Sequence, residues 1–266
     1  MKNVLDRSSG VSPLGVRFWD AVTRSFVSDG LSVVAHPTSM PSQRVAVLAN
    51  PSGIFMAQDL PGMRELERGA GDDAYWRSVA RKRFVVEVDD TLGRYLPFSF
   101  TADLPIRGLL IGPGVAGTPL ASEPHDGALL FSTSTRAAPA GLTVIHTEIW
   151  DAGAPAAGAL IVARVAGDPP VYGVTDAEGR AALFFASPEP PAPGERSWPV
   201  TLSVRYARAA VRSRYPDLAA VLAQPTATLV TDPARGFTFS AEPRGPGEPL
   251  ILRSSPASTR LFVTTS

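Results

Sequence analysis

VYGVTDAEGRAALFFA, residues 171–186, reads as a strand, a tight turn and a second strand. Thr175-Asp176-Ala177-Glu178-Gly179 is the turn. An Asp side chain accepts hydrogen bonds from its own backbone two residues on, and Gly supplies the positive φ that closes the reversal. Ala181 to Phe185 is apolar enough for a buried strand. A second copy lies upstream at Ala49-Asn50-Pro51-Ser52-Gly53-Ile54-Phe55-Met56. It has the same Asx start at Asn50, the same Gly three residues later at Gly53, and then an apolar run. Asn50, Gly53, Asp176 and Gly179 are therefore structural turn residues.

The two copies extend outward in the same order. Phe18-Trp19-Asp20, Asp29-Gly30 and Leu31 to Ala35 precede the first. Ile149-Trp150-Asp151, Ala157-Gly158 and Ala159 to Ala163 precede the second. Phe84 to Val88 and Val200 to Val204 follow them. Repetition of this kind points to two similar β-modules in tandem.

The expected fold is all-β: two sandwich modules of Ig-like or transthyretin-like type, with one short helix in the second at Pro216 to Leu222. Its Pro stands at a first-turn position. The division expected is a loosely ordered 1–15, a first module 16–105, a Gly/Pro-rich linker 106–124 and a second module 125–266. Pro97 in Tyr95 to Phe100 marks an edge or a bulge. Three closing strands are expected at Gly236 to Phe239, Leu250 to Arg253 and Leu261 to Val263.

The element TDAEGRAALFF resembles the T-D-x-x-G-x-apolar hairpin of carboxypeptidase-regulatory-like and transthyretin-like β-sandwiches. The strings DGLSVVAHP, NPSGIFMAQDLPGMRELE, RFVVEVDDTLGRYLPFSFTADLP and SWPVTLSVRYA together resemble two-module proteins encoded beside phage-tail-like contractile injection systems. That resemblance implies a structural or accessory particle component and supplies no catalytic residue.

Composition narrows the function classes. Gly and Pro number 23 and 26 of 266 residues, well above the roughly 12% of average usage, which suits short strands joined by turns. The 25 basic and 25 acidic residues are interspersed, with no basic face for nucleic acid. There is no Cys, which removes disulfides, thiolate metal sites and a Cys nucleophile. The N-terminus lacks the apolar core of a signal peptide, and no run approaches ~18 apolar residues. The expected location is the cytoplasm, or a larger particle that carries the protein. Lys2 and Lys82 are the only lysines, so an internal isopeptide crosslink in the second module has no amine to use.

No recognised catalytic constellation emerges. Gly112-Pro113-Gly114-Val115-Ala116-Gly117 fits G-x-G-x-x-G, but Thr118-Pro119 interrupts the helix a pyrophosphate site needs. His36, His125 and His146 are scattered, and no G-x-S-x-G elbow occurs. Asp72-Asp73, Asp89-Asp90 and Asp103 could ligate Ca²⁺ or simply form turns. Trp19 and Trp150 occupy equivalent places before an Asp, as core anchors or as a carbohydrate platform.

The reading is a non-enzymatic subunit with no cofactor and no metal, whose partners are other protein subunits. Nucleic acid, membrane insertion and a small-molecule ligand are not expected. A glycan- or peptide-binding module is the alternative. The partner-facing candidate is the Asp59–Arg81 insertion, too long for an ordinary hairpin loop of ~2–5 residues. It carries Met63, Arg64, Arg68 and Tyr75, residue types enriched at interface cores. The competing view makes the same side chains an internal cap on the first module; the expected outcome is mixed, with Trp76 internal and Met63 and the Arg side chains outward.

Overall fold

The computed structural model describes residues 11–64, 66, 73–110, 112, 120, 126–165, 168–186, 200–208, 213–230, 250–251 and 260–264. Both modules are built from β-strands. In the first, β1 (Leu14–Val16), β2 (Phe18–Asp20), β3 (Leu31–Pro37), β4 (Val45–Ala49) and β5 (Phe55–Ala57) precede a short helix α1 (Asp73–Ser78). Then follow β6 (Lys82–Asp90), β7 (Phe98–Leu104) and β8 (Ala128–Leu130). A six-stranded antiparallel sheet runs β1-β5-β4-β3-β6-β7, and β2 pairs in parallel with β8.

The inward side follows the period-2 alternation of a half-buried strand. Phe84, Val86 and Val88 of β6 are buried, while Val85 and Glu87 turn to the other face. Each such buried side chain contributes about 1.5–3 kcal/mol relative to exposure. Phe18 from β2 closes the core from above, edge-on to Phe55 at 5.0 Å and to Phe98 at 6.4 Å between ring centroids. Pro97 sits just before β7, an edge strand, where no ladder hydrogen bond is lost.

The second module holds β9 (Leu142–Asp151), β10 (Ala154–Pro155), β11 (Leu160–Val165), β12 (Val171–Val174), β13 (Arg180–Ala186) and β14 (Val200–Arg205). It ends with helix α2 (Leu218–Leu222), β15 (Thr226–Val230), β16 (Leu250–Ile251) and β17 (Arg260–Thr264). One sheet carries β13 and β10 on one side of β9 and β16 and β17 on the other. A second carries β12-β11-β14, and β15 belongs to both, pairing with β14 through Ala227 and with β17 through Leu229. The expected helix is present but shorter. Asp217 is its N-cap, its carboxylate accepting from Ala220 N–H, so Pro216 lies outside the helix rather than in its first turn. The strand expected at Gly236 to Phe239 lies outside the described residues.

The repeat is deeper in the pairing than in the sequence. β3 pairs β4 and β6, and β11 pairs β12 and β14. β1 and β2 together match β9: β1 pairs antiparallel with β5 as β9 does with β13, and β2 pairs parallel with β8 as β9 does with β17. The registers Trp19↔Leu129 and Trp150↔Phe262 are equivalent. So β8 closes the first module, beyond the 106–124 stretch that the sequence reading places as the linker. The described parts of that stretch lie on the first module. Ile106 and Leu110 donate backbone N–H bonds to Pro13 and Gly15 carbonyls, and Leu110 and Leu120 are buried. Gly112 has a packing reason, since a Cβ there would stand 1.6 Å from the Gly127 carbonyl oxygen.

One difference separates the modules. Asn50 and Asp176 start equivalent turns, but β4 and β5 remain ladder neighbours, whereas β12 and β13 part into different sheets.

Candidate functional site

Among the described residues, three Asx-x-x-Gly turns are closed by the Asx side chain accepting from backbone N–H groups two and four residues on. Asp176 Oδ1 accepts from Glu178 and Arg180 N–H at 3.0 and 2.8 Å, and Gly179 N–H donates to the Asp176 carbonyl at 3.0 Å. Asn50 Oδ1 accepts from Ser52 and Ile54 N–H at 2.9 and 3.0 Å. Asp90 accepts from Leu92 and Arg94 N–H through its two oxygens. Gly53, Gly93 and Gly179 have φ of 73°, 70° and 75°. The Thr of the 175–179 turn is buried: its hydroxyl donates to the Ala156 carbonyl and accepts from Ala159 N–H.

A second repeated device is the Trp-Asp step of β2 and β9. Adjacent strand residues face opposite ways. Asp20 and Asp151 turn inward and are buried, while Trp19 and Trp150 are half-buried outside. Asp20 receives Arg136 Nη2 at 2.6 Å, Arg136 Nη1 at 3.2 Å and the Tyr95 hydroxyl at 3.1 Å. Asp151 receives Arg208 through Nε and Nη2 at 3.0 and 2.8 Å. Burial opposes ionisation of Asp20, but the Arg136 and Val22 hydrogen bonds outweigh it and hold the carboxyl below its ordinary range. Burial pushes the Tyr95 hydroxyl up to about 12, and the Asp20 charge adds to it. Burial likewise raises Tyr206, beside Asp151. These groups are locked in mutual pairs.

Between the modules lies an apolar groove of about 510 Å³. Leu96, Pro97, Phe98 and Phe131 form the first module's wall. Val174 to Glu178, with Pro216, Leu218 and Val221, form the other. The sequence reading took Thr175–Gly179 only as a turn, yet Thr175 to Glu178 line this groove. The chain around it is pinned: Ser134 hydroxyl donates to Asp176 at 2.6 Å, Ser99 N–H to the Pro216 carbonyl at 2.8 Å, and Gln224 to the Gly158 carbonyl at 2.7 Å.

The insertion residues do not act as one surface. Met63 is buried at 1% exposure, correcting its outward assignment. With Leu60 and Leu66 it joins the first module's core, where its flexible thioether side chain fills space. Arg64 is exposed and pairs with exposed Asp59 at 3.4 Å, a contact worth little. Tyr75 is exposed at 37% and Trp76 half-buried, both on α1. Arg68 lies outside the described residues.

Other sequence candidates are dispersed. Asp89, Asp90 and Asp103 each pair with an arginine: Arg214, Arg94 and Arg83 respectively. No group of three or more metal-ligating side chains occurs among the described residues. His36 Nε2 faces Glu87 at 3.4 Å, and Glu87 also pairs with Arg44. His146 lies apart on β9, and burial lowers its pKa. His125, Asp72, Trp198 and Gly114 to Gly117 are outside the described residues. Both described strand tryptophans have a partner on the ring: Trp150 lies under the Arg260 guanidinium at 3.8 Å, and Trp19 meets Phe26 in a tilted contact at 3.8 Å between centroids.

No family model matches the chain, and no curated protein matches it. Among solved structures, the C-terminal fragment of the pilus adhesin SpaC from Lactobacillus rhamnosus GG is 10% identical, over 94% of this chain and 96% of that one, at a TM-score of 0.21. A Bacteroides ovatus protein assigned as an adhesin is 10% identical over 90% and 94%, also at 0.21. No helix among the described residues is long and apolar enough to cross a membrane.

Proposed function

We propose that this chain is a non-enzymatic β-scaffold that works through protein–protein contacts, as a structural or accessory subunit of a phage-tail-like contractile injection particle. The particle assignment rests on the sequence resemblance. The observation that carries the contact reading is apolar exposure on the first module. Leu48 is 70% exposed on the outer face of the sheet, where it stands opposite half-buried Met56. Leu92 and Phe26 are 60% and 48% exposed in the loops that join β6 to β7 and β2 to β3. Exposed apolar side chains held on a rigid scaffold are candidate contact residues. A glycan platform needs an open aromatic face, and the described strand tryptophans are already covered by Arg260 and Phe26.

The test is capture of partner chains from native lysate by the full-length protein, followed by crosslinking and mass spectrometry. Leu48→Glu with Leu92→Glu should leave the melting temperature nearly unchanged, because both side chains are solvent-exposed, and should deplete the captured particle subunits. Undiminished capture would remove this face, and a specific glycan ligand in place of protein partners would replace the reading.

A further inference from the structure

We propose that the groove between the modules receives a short apolar segment of a partner protein that carries a lysine or arginine. This rests on the protein–protein reading and names its surface and the partner's chemistry. The volume, about 510 Å³, lies in the range of specific pockets, roughly 300–1,000 Å³. It can hold a few side chains. Phe98, Phe131, Val174, Leu218 and Val221 line its floor and are buried. Both walls are fixed to the scaffold by the Ser134–Asp176 and Ser99–Pro216 hydrogen bonds, so the groove is preformed and little ordering is needed on binding.

Charge selects the partner. Asp176 and Glu178 line the groove on the second module's turn. Asp217 stands between the lining residues Pro216 and Leu218, and its Oδ1 is buried without a hydrogen-bond partner among the described residues. Arg214 is the one described cation in the lining, and Asp89 neutralises it at 3.0 Å. The unbalanced carboxylates therefore favour a basic residue beside the apolar anchor and repel an acidic one. Apolar anchors in a dry pocket with a complementary charge at the rim are the usual arrangement of a peptide hot spot.

The experiment selects a random-peptide display library on the full-length protein and measures each enriched peptide against Ala157→Trp, which fills the groove from its half-buried wall, and Glu178→Lys, which reverses an exposed rim charge. Enriched peptides should combine an apolar run with Lys or Arg, and each variant should weaken them about tenfold or more. Methyl NMR of Leu218 and Val221 in the unmodified protein should shift on adding those peptides, which locates the site even if Ala157→Trp does not fold. Peptides that ignore Glu178→Lys would overturn the partner chemistry. Peptides that neither sense the filled groove nor shift Leu218 and Val221, or no enrichment at all, would overturn the site. Capture of particle subunits through Leu48 and Leu92 would still stand or fall on its own measurement.

Discussion

Asp20 is the residue on which the junction depends. Its carboxylate is almost wholly buried, and Arg136 and Tyr95 both point at it. Asp20→Asn removes the charge but leaves the Arg136 guanidinium inside, so unfolding free energy should fall by roughly 3–5 kcal/mol, measured by urea denaturation. The pH dependence has a definite sign. Asp20, Glu87 and Asp90 all have folded pKa values below the ordinary ones: in each case burial opposes ionisation but arginine hydrogen bonds outweigh it. Their contribution is fully present above the unfolded carboxylate values of about 4 and is lost as pH falls through the depressed folded values. Tyr95, raised to about 12, works at the other limit: its contribution is present below about pH 10 and lost as pH rises through the folded value. The urea midpoint should hold at neutral pH and drop at both ends, and Asp20→Asn should flatten the acid limb. An acid limb unchanged in Asp20→Asn would contradict the assignment.

The elements show what the sequence could and could not reveal. The Asx-x-x-Gly turn is local: one side chain bonds its own backbone within four residues, so Asn50 and Asp176 are legible without any tertiary information. Gly179→Ala should therefore destabilise the fold by at least about 1 kcal/mol, because its φ is 75° and a Cβ would stand 2.5 Å from the Ile149 carbonyl oxygen. A thermal melt matching the parent protein would refute that. Partner choice is not local. Nothing in β13 says that it leaves β12 for β9, and nothing in Ala128–Leu130 says that it returns in parallel to β2. Thr226–Val230 gives a weak sequence signal because it is short and its most buried inward residue, Ala227, is small, with only Leu229 beside it on the core face. Met63 is ambiguous in the sequence for a different reason. Its residue type is common to interfaces and to cores, and only packing against Leu60 and Leu66 decides between them. The candidate groove is not legible in the sequence because its lining comes from separate stretches near Phe98, Phe131, Ala157, Asp176 and Leu218 that only the folded sheets bring together.

At the scale of the molecule, the two modules do not bury themselves separately. β11 carries apolar residues on both faces: Ile161 and Ala163 point into the second module's own core, while Leu160 and Val162 join the first. That double burial explains why Leu160–Ala163 reads as an unbroken apolar run rather than an alternating one. Tyr172 and Val174 from β12 and Leu218, Val221 and Leu222 from α2 complete the same shared layer. Between the modules pass the Ser99–Pro216 backbone bond and the Arg214–Asp89 pair. Separating the modules would expose this apolar layer to water, at ~25 cal/mol for each Å². The expected outcome is one cooperative unfolding transition, with tryptophan fluorescence and far-ultraviolet circular dichroism coinciding, instead of two steps. Cleavage within 106–124 should leave the two pieces associated through the shared layer. Leu160→Ala should lower the single midpoint as a core truncation of about 2–5 kcal/mol, and should do so without splitting it. Two resolved transitions in the parent protein, or a second-module fragment that melts at the full-length temperature, would show that the layer couples nothing.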